Sequence, residues 1–576
     1  MHALKYLVLI LFLLCPVSVY AEDLYLALTD TGAANGTSCA NARIYTWFNS
    51  AANWGGGAGE IDPGDTVHVC GVWTGGNATS FLQFQADGTV GNVVTILFET
   101  GAEMRPNYCA SAGCIDLNGK SYILINGGST CGNDGSATGW TLTACNGKIQ
   151  NFAIGSITQT CPNASTCVAF SGNTTGIGSG TGNPHHVEVK NMHLGPFYTR
   201  DAADTTAGGT GTHGFGVFGG ALPHHITFHH SVCRSVMHCN ILSMGALSAD
   251  LAVYSMYNVD SADQCHAQAI GGDGGNNYNI TTLLFHNNKI TDWNKWAASN
   301  GACHTNGFIW FNGNNSAIHT PNGFIGTSDT KIYNNYFEGD LSGGIVGSSP
   351  SGFMNCADNC DNIYEFNNVL VSTCTGSSPT RTCGTPIYFN GPGGGRQHAY
   401  NNTIIGAVGG VSANITYYIG ETGNPILKNN VAYQMTQAFS NPYNNQQVTS
   451  DYNVFQVTTS AWSCWNTLIS GNCVSLAQWQ AGPYLQDIHS LNTDPLLTGT
   501  YELTSNSPAK DAGVNLSAGA PAELLYDAKG LSRPQGSAWD MGAYEFDQGG
   551  AGQSPNPPGA SYTSGNRAST GIRPLA

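Results

Sequence analysis

An apolar alternation that runs into paired asparagines, or a small polar substitute, and then into another apolar residue recurs every few dozen residues along this chain. The clearest copies are Leu284-Phe285-His286-Asn287-Asn288-Lys289-Ile290, Ile332-Tyr333-Asn334-Asn335-Tyr336-Phe337, Ile363 to Asn367-Asn368 and Leu370, Ala399-Tyr400-Asn401-Asn402-Thr403-Ile404, and Leu427-Lys428-Asn429-Asn430-Val431-Ala432. Weaker copies stand at Val187 to Leu194 and at Ile226 to Cys233. A strand this short cannot bury a face alone, so neighbouring units must stack. Asparagine at the same point of each unit tolerates left-handed backbone and can hydrogen-bond up and down the stack. The pattern predicts a coiled, all-β ribbon.

The same periodicity divides the chain. Residues 40–54 place Ile44, Trp47, Phe48 and Ala51 on one helical face, which predicts a short helix capping the first coil. Asp62-Pro63-Gly64-Asp65 then reads as a turn feeding the alternating strand Thr66-Val67-His68-Val69-Cys70. This makes residues 22–60 an N-terminal cap, 61–455 the coils and 456–547 a less regular closing region. Residues 548–576, rich in Gly, Ser and Pro without an apolar period, are expected to be disordered. Residues 1–21 carry Lys5, an apolar run from Leu7 to Leu14 and the small-residue site Val19-Tyr20-Ala21, the pattern of an export signal. Cys15 follows two leucines rather than a small residue, which disfavours a lipoprotein anchor, and no other apolar run approaches the length of a membrane span.

Composition narrows the function. Only 10% of residues are charged, against roughly 25% in ordinary globular domains, so Asn, Thr, Ser and Gly must dress the surface. A net charge of −17 with no basic run argues against nucleic acid as a partner. It also makes neutral or weakly acidic glycans easier ligands than strong polyanions, unless a local basic site or a bound cation reverses the field. Of the 19 cysteines, Cys15 falls in the leader, and the remaining 18 group as near neighbours: 39/70, 109/114, 131/145, 161/167, 233/239, 265/303, 356/360, 374/383 and 464/473. Nine local disulfides are the expected reading for an exported chain; zinc is the competing one, and no CxxC pair supports it.

The Asn-Asn coils, the Pro63-Gly64-Asp65-Thr66-Val67 opening and the capping segment together resemble the secreted proteins of the pectate lyase-like superfamily. That resemblance implies a right-handed parallel β-helix and a bacterial, secreted or cell-surface protein. Ser507-Pro508-Ala509-Lys510-Asp511-Ala512-Gly513, Asp527, Gly530, Arg533-Pro534 and Asp540-Met541-Gly542-Ala543-Tyr544-Glu545-Phe546 resemble the closing segment of choice-of-anchor Q proteins. Such proteins often continue into a surface-anchoring signal, and this tail has neither the apolar segment nor the basic end for one.

Parallel β-helices host many chemistries, so the reaction must be read from residues. There is no HExxH, no phosphate loop at Gly119-Lys120-Ser121, and no polygalacturonase-like set of paired aspartates with Gly-His-Gly. Gly271-Gly272-Asp273-Gly274-Gly275 occurs once, a structural turn or a calcium loop; calcium is the one candidate ion, and no other cofactor is indicated. His213, His238, His266 and His304 each open an apolar strand, and stacking would align them in a column. Arg234, Asp260, Asp263, Asp292 and Lys295 fall in the turns after the repeated strands of the same coils, as do Arg200, Asp201, Glu338 and Asp340. Such a mixture suits polysaccharide cleavage. Two carboxylates can divide acid and base roles in hydrolysis. β-Elimination from a uronate instead needs a cation against the carboxylate and a base for the neighbouring proton. Trp293, Trp296, Trp310 and Phe311 offer rings for sugars or a small core of their own. The sequence therefore favours a polysaccharide lyase or glycosidase, with a non-catalytic adhesin as the alternative and a structural ladder as the plain account of the histidines.

Overall fold

The structure, a computed structural model, describes residues 21–549 except 77, 130, 134–139, 142–144, 151–173, 181, 196, 198–211, 219–222, 235, 237, 245–246, 260–269, 272–278, 281–282, 294–308, 313–329, 340–352, 359–362, 374–385, 390–396, 407–414, 420–424, 441–447, 460, 465–472 and 482–483. It is a parallel β-helix. Each coil contributes one short strand to each of three sheets, which hold 15, 12 and 13 strands among the described residues. One coil shows the plan: His224–His229 lies in the first sheet, Val232–Arg234 in the second, His238–Met244 in the third, and Leu247–Tyr254 returns to the first beside His224–His229. Within these sheets the described pairings are parallel except Ser463–Cys464 with Cys473–Val474.

The interior is made of alternate, inward-facing residues of each strand, stacked in register. Val189, Phe228, Val253, Phe285 and Ile332 form one such column, and Met104, Ile149, Leu194 and Cys233 begin another that passes through Asn258 to Ile290 and Phe337. At the top, the expected helix over 40–54 is replaced by three single-turn 3-10 segments, Cys39–Asn41, Tyr45–Trp47 and Ala51–Asn53, interrupted by the strand Arg43–Ile44. The capping role survives this change. Phe48 and Trp54 pack edge-on and tilted against Phe84 and cover the first coils, while Arg43 and Ile44 pair with Leu26 and Ala27, a sheet bond that a continuous helix would forfeit.

The paired asparagines divide their work. The first, at Asn287, Asn334, Asn367, Asn401 and Asn429, takes φ of 51° to 58°, as the unpaired Asn191 also does, and turns the chain from the first sheet into the second. The second is inside. Asn288, Asn335, Asn368, Asn402, Asn430 and Asn453 form a buried amide ladder, each side-chain oxygen accepting from the preceding coil's backbone N–H at 2.9–3.2 Å. Their Nδ2 atoms donate to strand carbonyls such as Val253, Phe285 and Ile332. Disulfides Cys39–Cys70, Cys109–Cys114, Cys131–Cys145 and Cys233–Cys239 are present as the spacing predicts. Cys473 is also in a disulfide, and its register partner is Cys464. The pairings 161/167, 265/303, 356/360 and 374/383 involve residues outside the described set.

After a short helix, Leu476–Gln480, whose Trp479 packs on Phe439 at the far end of the core, the chain runs back along the outside of the last coils. Leu516, Leu524 and Trp539 cover Tyr333, Phe366 and Tyr400, and Ala543 covers Val369, Val371 and Ile405. One core position is unusual. Glu365 stands in the inward column between Ile332 and Ala399, is 3% exposed, and burial raises its carboxyl to about 8.

Two stability predictions follow from this interior. Asn368→Ala removes the acceptor of the Asn335 N–H and the donor to the Ile332 carbonyl, and buried groups left unpaired cost roughly 1–3 kcal/mol each. It should lower the unfolding free energy by about 2–5 kcal/mol, measured by denaturant titration. For Glu365, a folded pKa above the unfolded value means the folded state holds the proton more tightly, so stability falls as pH rises from about 4.5 towards 8. Glu365→Gln should flatten that fall in thermal melts taken between pH 5 and 8.5; an unchanged pH profile would show that the carboxyl does not titrate in the core.

Candidate functional site

The left-handed residue fixes what the second sheet shows to solvent, because side chains alternate along a strand. The residue after the turn faces the core, the next faces out, and so does the one two places further. Reading the outward position coil by coil gives Glu103, Lys148, His193, Val232, Tyr257, Lys289 and Tyr336 in unbroken parallel register. A second outer column holds Arg105, Arg234 and Glu338, with Gln150 just beyond its strand. Successive rungs lie about 4.8 Å apart. Four cations and two carboxylates on this face oppose the sign of the chain as a whole.

His193 is the centre of the face. Its imidazole is half-buried, its Nε2 is enclosed, and that atom has no hydrogen-bond partner among the described residues. Burial first, then the positive charges of Lys148 and Arg234, lower its pKa to about 4. It is therefore a neutral base at pH 7, set between two cations. Towards the N-terminal end, Arg105 clamps both oxygens of Glu103, and Gln150 Nε2 also donates to that carboxylate, so Glu103 is fully engaged. Towards the other end, Lys289 Nζ lies 5.4 Å and 5.9 Å from the ring centres of Tyr257 and Tyr336. Tyr336 donates to Glu338 Oε2 at 2.7 Å, and burial together with that carboxylate pushes its phenol up. The rings and cations alternate along the stack.

The first sheet's outer face carries a different group. Glu188 accepts from Lys190 at 2.8 Å and meets His229 Nε2 at 3.1 Å; these partners outweigh its burial and hold its carboxyl at about 2. His229, Tyr254, His286, Tyr333 and Phe366 then stack ring on ring at 4.7–5.0 Å. This column runs under the C-terminal segment at Tyr333 and Phe366, which makes it packing.

Of the residues expected from sequence, Arg234 is brought to this face. His213 and His238 do share a register position on adjacent coils of the third sheet. The His213 side chain is enclosed at 2% exposure, lies 3.3 Å from Thr175 Oγ1 through Nδ1, and burial lowers its pKa to about 3. The side chain of His238 is outside the described residues, and Asp292 is described only as part of the strand Lys289–Trp293. His266, His304, Asp260, Asp263 and Lys295 lie outside the described residues, as do Arg200, Asp201, Asp340, Trp296 and the loop Gly272-Asp273-Gly274-Gly275. Lys148, His193, Tyr257 and Lys289 carry no sequence motif that marks them, although His193 belongs to a weak copy of the repeat.

No family model matches the chain, and no curated protein sequence does. Among solved structures, the crystal structure of pectate lyase Pel9A is similar over 92% of this chain and 98% of that one, at 12% identity and a TM-score of 0.37. The likeness carries no functional argument at those values.

Proposed function

We propose that the protein is exported, binds an extracellular polysaccharide along the outer face of the second sheet, and cleaves it at uronate residues by β-elimination. The observation that supports this most is His193, a neutral, enclosed imidazole flanked by Lys148 and Arg234 on adjacent coils. Extended glycans match a face whose rungs repeat in parallel register, and the partly buried rings of Tyr257 and Tyr336 flank Lys289 on it. Lys148 and Arg234 place positive charge beside His193 in an otherwise acidic chain, where a uronate carboxylate would bind. The disulfides fit an oxidising, extracellular setting.

In this reading Lys148 and Arg234 neutralise the uronate carboxylate, which acidifies the proton on the carbon beside it. His193 accepts that proton at Nδ1, its Nε2 being enclosed. The released electron pair forms a carbon–carbon double bond as the bond from the next carbon to the glycosidic oxygen breaks. The departing oxygen takes a proton from water, and the imidazolium returns its own to solvent. The proton inventory closes without a further reactant.

A panel of uronate-bearing and neutral glycans, read by both absorbance of unsaturated products and new reducing ends, tests the proposal. A polyuronate should yield both signals together. His193→Ala should reduce turnover at least about a hundredfold, the usual scale for a lost base, and Arg234→Ala should raise KM as well as lower kcat. Reducing ends without unsaturation would make the protein a hydrolase with its carboxylates elsewhere. Binding without any product would make it an adhesin.

A further inference from the structure

Away from the second-sheet face, the same tripeptide occurs on two consecutive coils: Pro184-His185-His186 and Pro223-His224-His225. Parallel register sets His185 directly beside His224. Adjacent side chains on a strand normally point to opposite faces. Here the second histidine of each pair has a left-handed backbone, φ 56° at His186 and 54° at His225, and the neighbouring rings meet instead, 5.0 Å apart in one pair and 4.8 Å in the other. Between coils the rings stack, His185 on His224 at 5.0 Å and His186 on His225 at 4.6 Å, with Tyr122 closing the stack on His186 at 4.7 Å. Four imidazoles thus occupy one corner of the first sheet.

We propose that His186, His224 and His225 form a binding site for a borderline divalent transition metal, zinc, nickel or copper, with His185 as a supporting neighbour. One ligand nitrogen from each of the three lies within 4.8 Å of the other two. A tetrahedral zinc ion with Zn–N of 2.0–2.1 Å needs its nitrogens roughly 3.4 Å apart, a change that small ring rotations supply. Imidazole selects this class of metal, whereas calcium and magnesium take oxygen. Left-handed backbone at a residue other than glycine costs of order 1–3 kcal/mol and persists where the surroundings or a function require it. Tyr122, at the same register position on the preceding coil, has left-handed backbone too, at φ 57°, so this corner of the sheet sets the conformation that brings the rings together. The Nδ1 atoms of each pair, at 2.9 Å and 2.6 Å, hold the two rings in fixed relation, which presents the ligands as a preformed set. Three protein ligands leave a tetrahedral ion one position for water or an outside group.

The test uses tag-free, chelator-treated full-length protein. Calorimetric titration with zinc chloride should show one ion per chain, and cobalt(II) should give the visible absorbance of a four-coordinate site. His225→Ala, at an exposed position, should weaken zinc binding by more than about a hundredfold and abolish the cobalt band, with the circular dichroism spectrum unchanged. His230→Ala, in the third histidine pair, should leave both readings as they are. Absence of stoichiometric zinc binding, or binding that survives both His225→Ala and His186→Gln, would make the four rings a packing ladder and overturn the site. Neither result bears on glycan cleavage at His193, which lies on another sheet.

Discussion

Satisfying buried backbone groups at the corner of every coil is the constraint on which the rest depends. A stack of short strands turns sharply once per coil between its first and second sheets, and the turn leaves N–H and C=O groups facing a dry interior, where an unpaired group is costly. The ladder from Asn288 to Asn453 solves this with one side chain per coil, accepting a backbone N–H from the coil before and donating to a strand carbonyl there. The residue before it must adopt left-handed φ, which asparagine does more readily than most. Where the ladder stops, Met192, Ser231 and Met256 occupy the same position, and Met192 and Met256 borrow acceptors from Ser231 and Asn288. A polar acceptor is needed only often enough to pair each turn.

The left-handed asparagines have a second use. Their side chains point outward, and the returning C-terminal segment binds to them: Asn367 to the Tyr526 carbonyl, Asn401 to those of Asp540 and Gly542, Asn429 to both backbone groups of Val514. Arg533 completes the join. It is buried against Glu545 at 2.6 Å and also donates to Asn367 Oδ1, while Asp527 and Asp540 accept backbone N–H groups of the same segment. The residues that make 507–546 resemble a closing segment are therefore structural here, a polar lock on a strip of asparagines. Loss of Arg533 would strand Glu545 as a buried charge, which is why such pairs resist piecemeal change.

Much of this was legible in the sequence, and the parts that were not have physical causes. The Asn-Asn phrase is visible because its geometry admits few residues, so the fold could be read from it. Helical spacing at Ile44, Trp47, Phe48 and Ala51 misled because isolated turns bury Phe48 while leaving Ile44 and Trp47 half-buried and Ala51 exposed, so the four never form one helical face. The site was harder. His213 and His238 are phased and do stack in register, yet phasing cannot tell inward from outward, and His213 lies within the protein. The left-handed residue could have supplied that sign, since two residues beyond it the chain always faces out on the second sheet. Counted from Asn191, Ser255, Asn287 and Asn334, that rule picks His193, Tyr257, Lys289 and Tyr336; four residues beyond His230 and Asn334 it picks Arg234 and Glu338.

The same rule explains where the face ends. Continued to Asn367, Asn401 and Asn429, it yields Val369, Thr403 and Val431, and at these coils Ala543, Gly542 and Met541 lie on the sheet. Polar and charged outward residues give way to apolar ones at the point where the returning segment begins to cover them, because burying a charge there would be costly without a partner. Tyr336 is the first outward residue that segment reaches, packed beside Tyr501 and Tyr544, and higher up the stack Val232 is likewise apolar where the Cys131–Cys145 disulfide packs on it. The outward residue of each coil thus reports what packs on it, mainly apolar beneath the disulfide and the returning segment and ionisable at Lys148, His193 and Lys289.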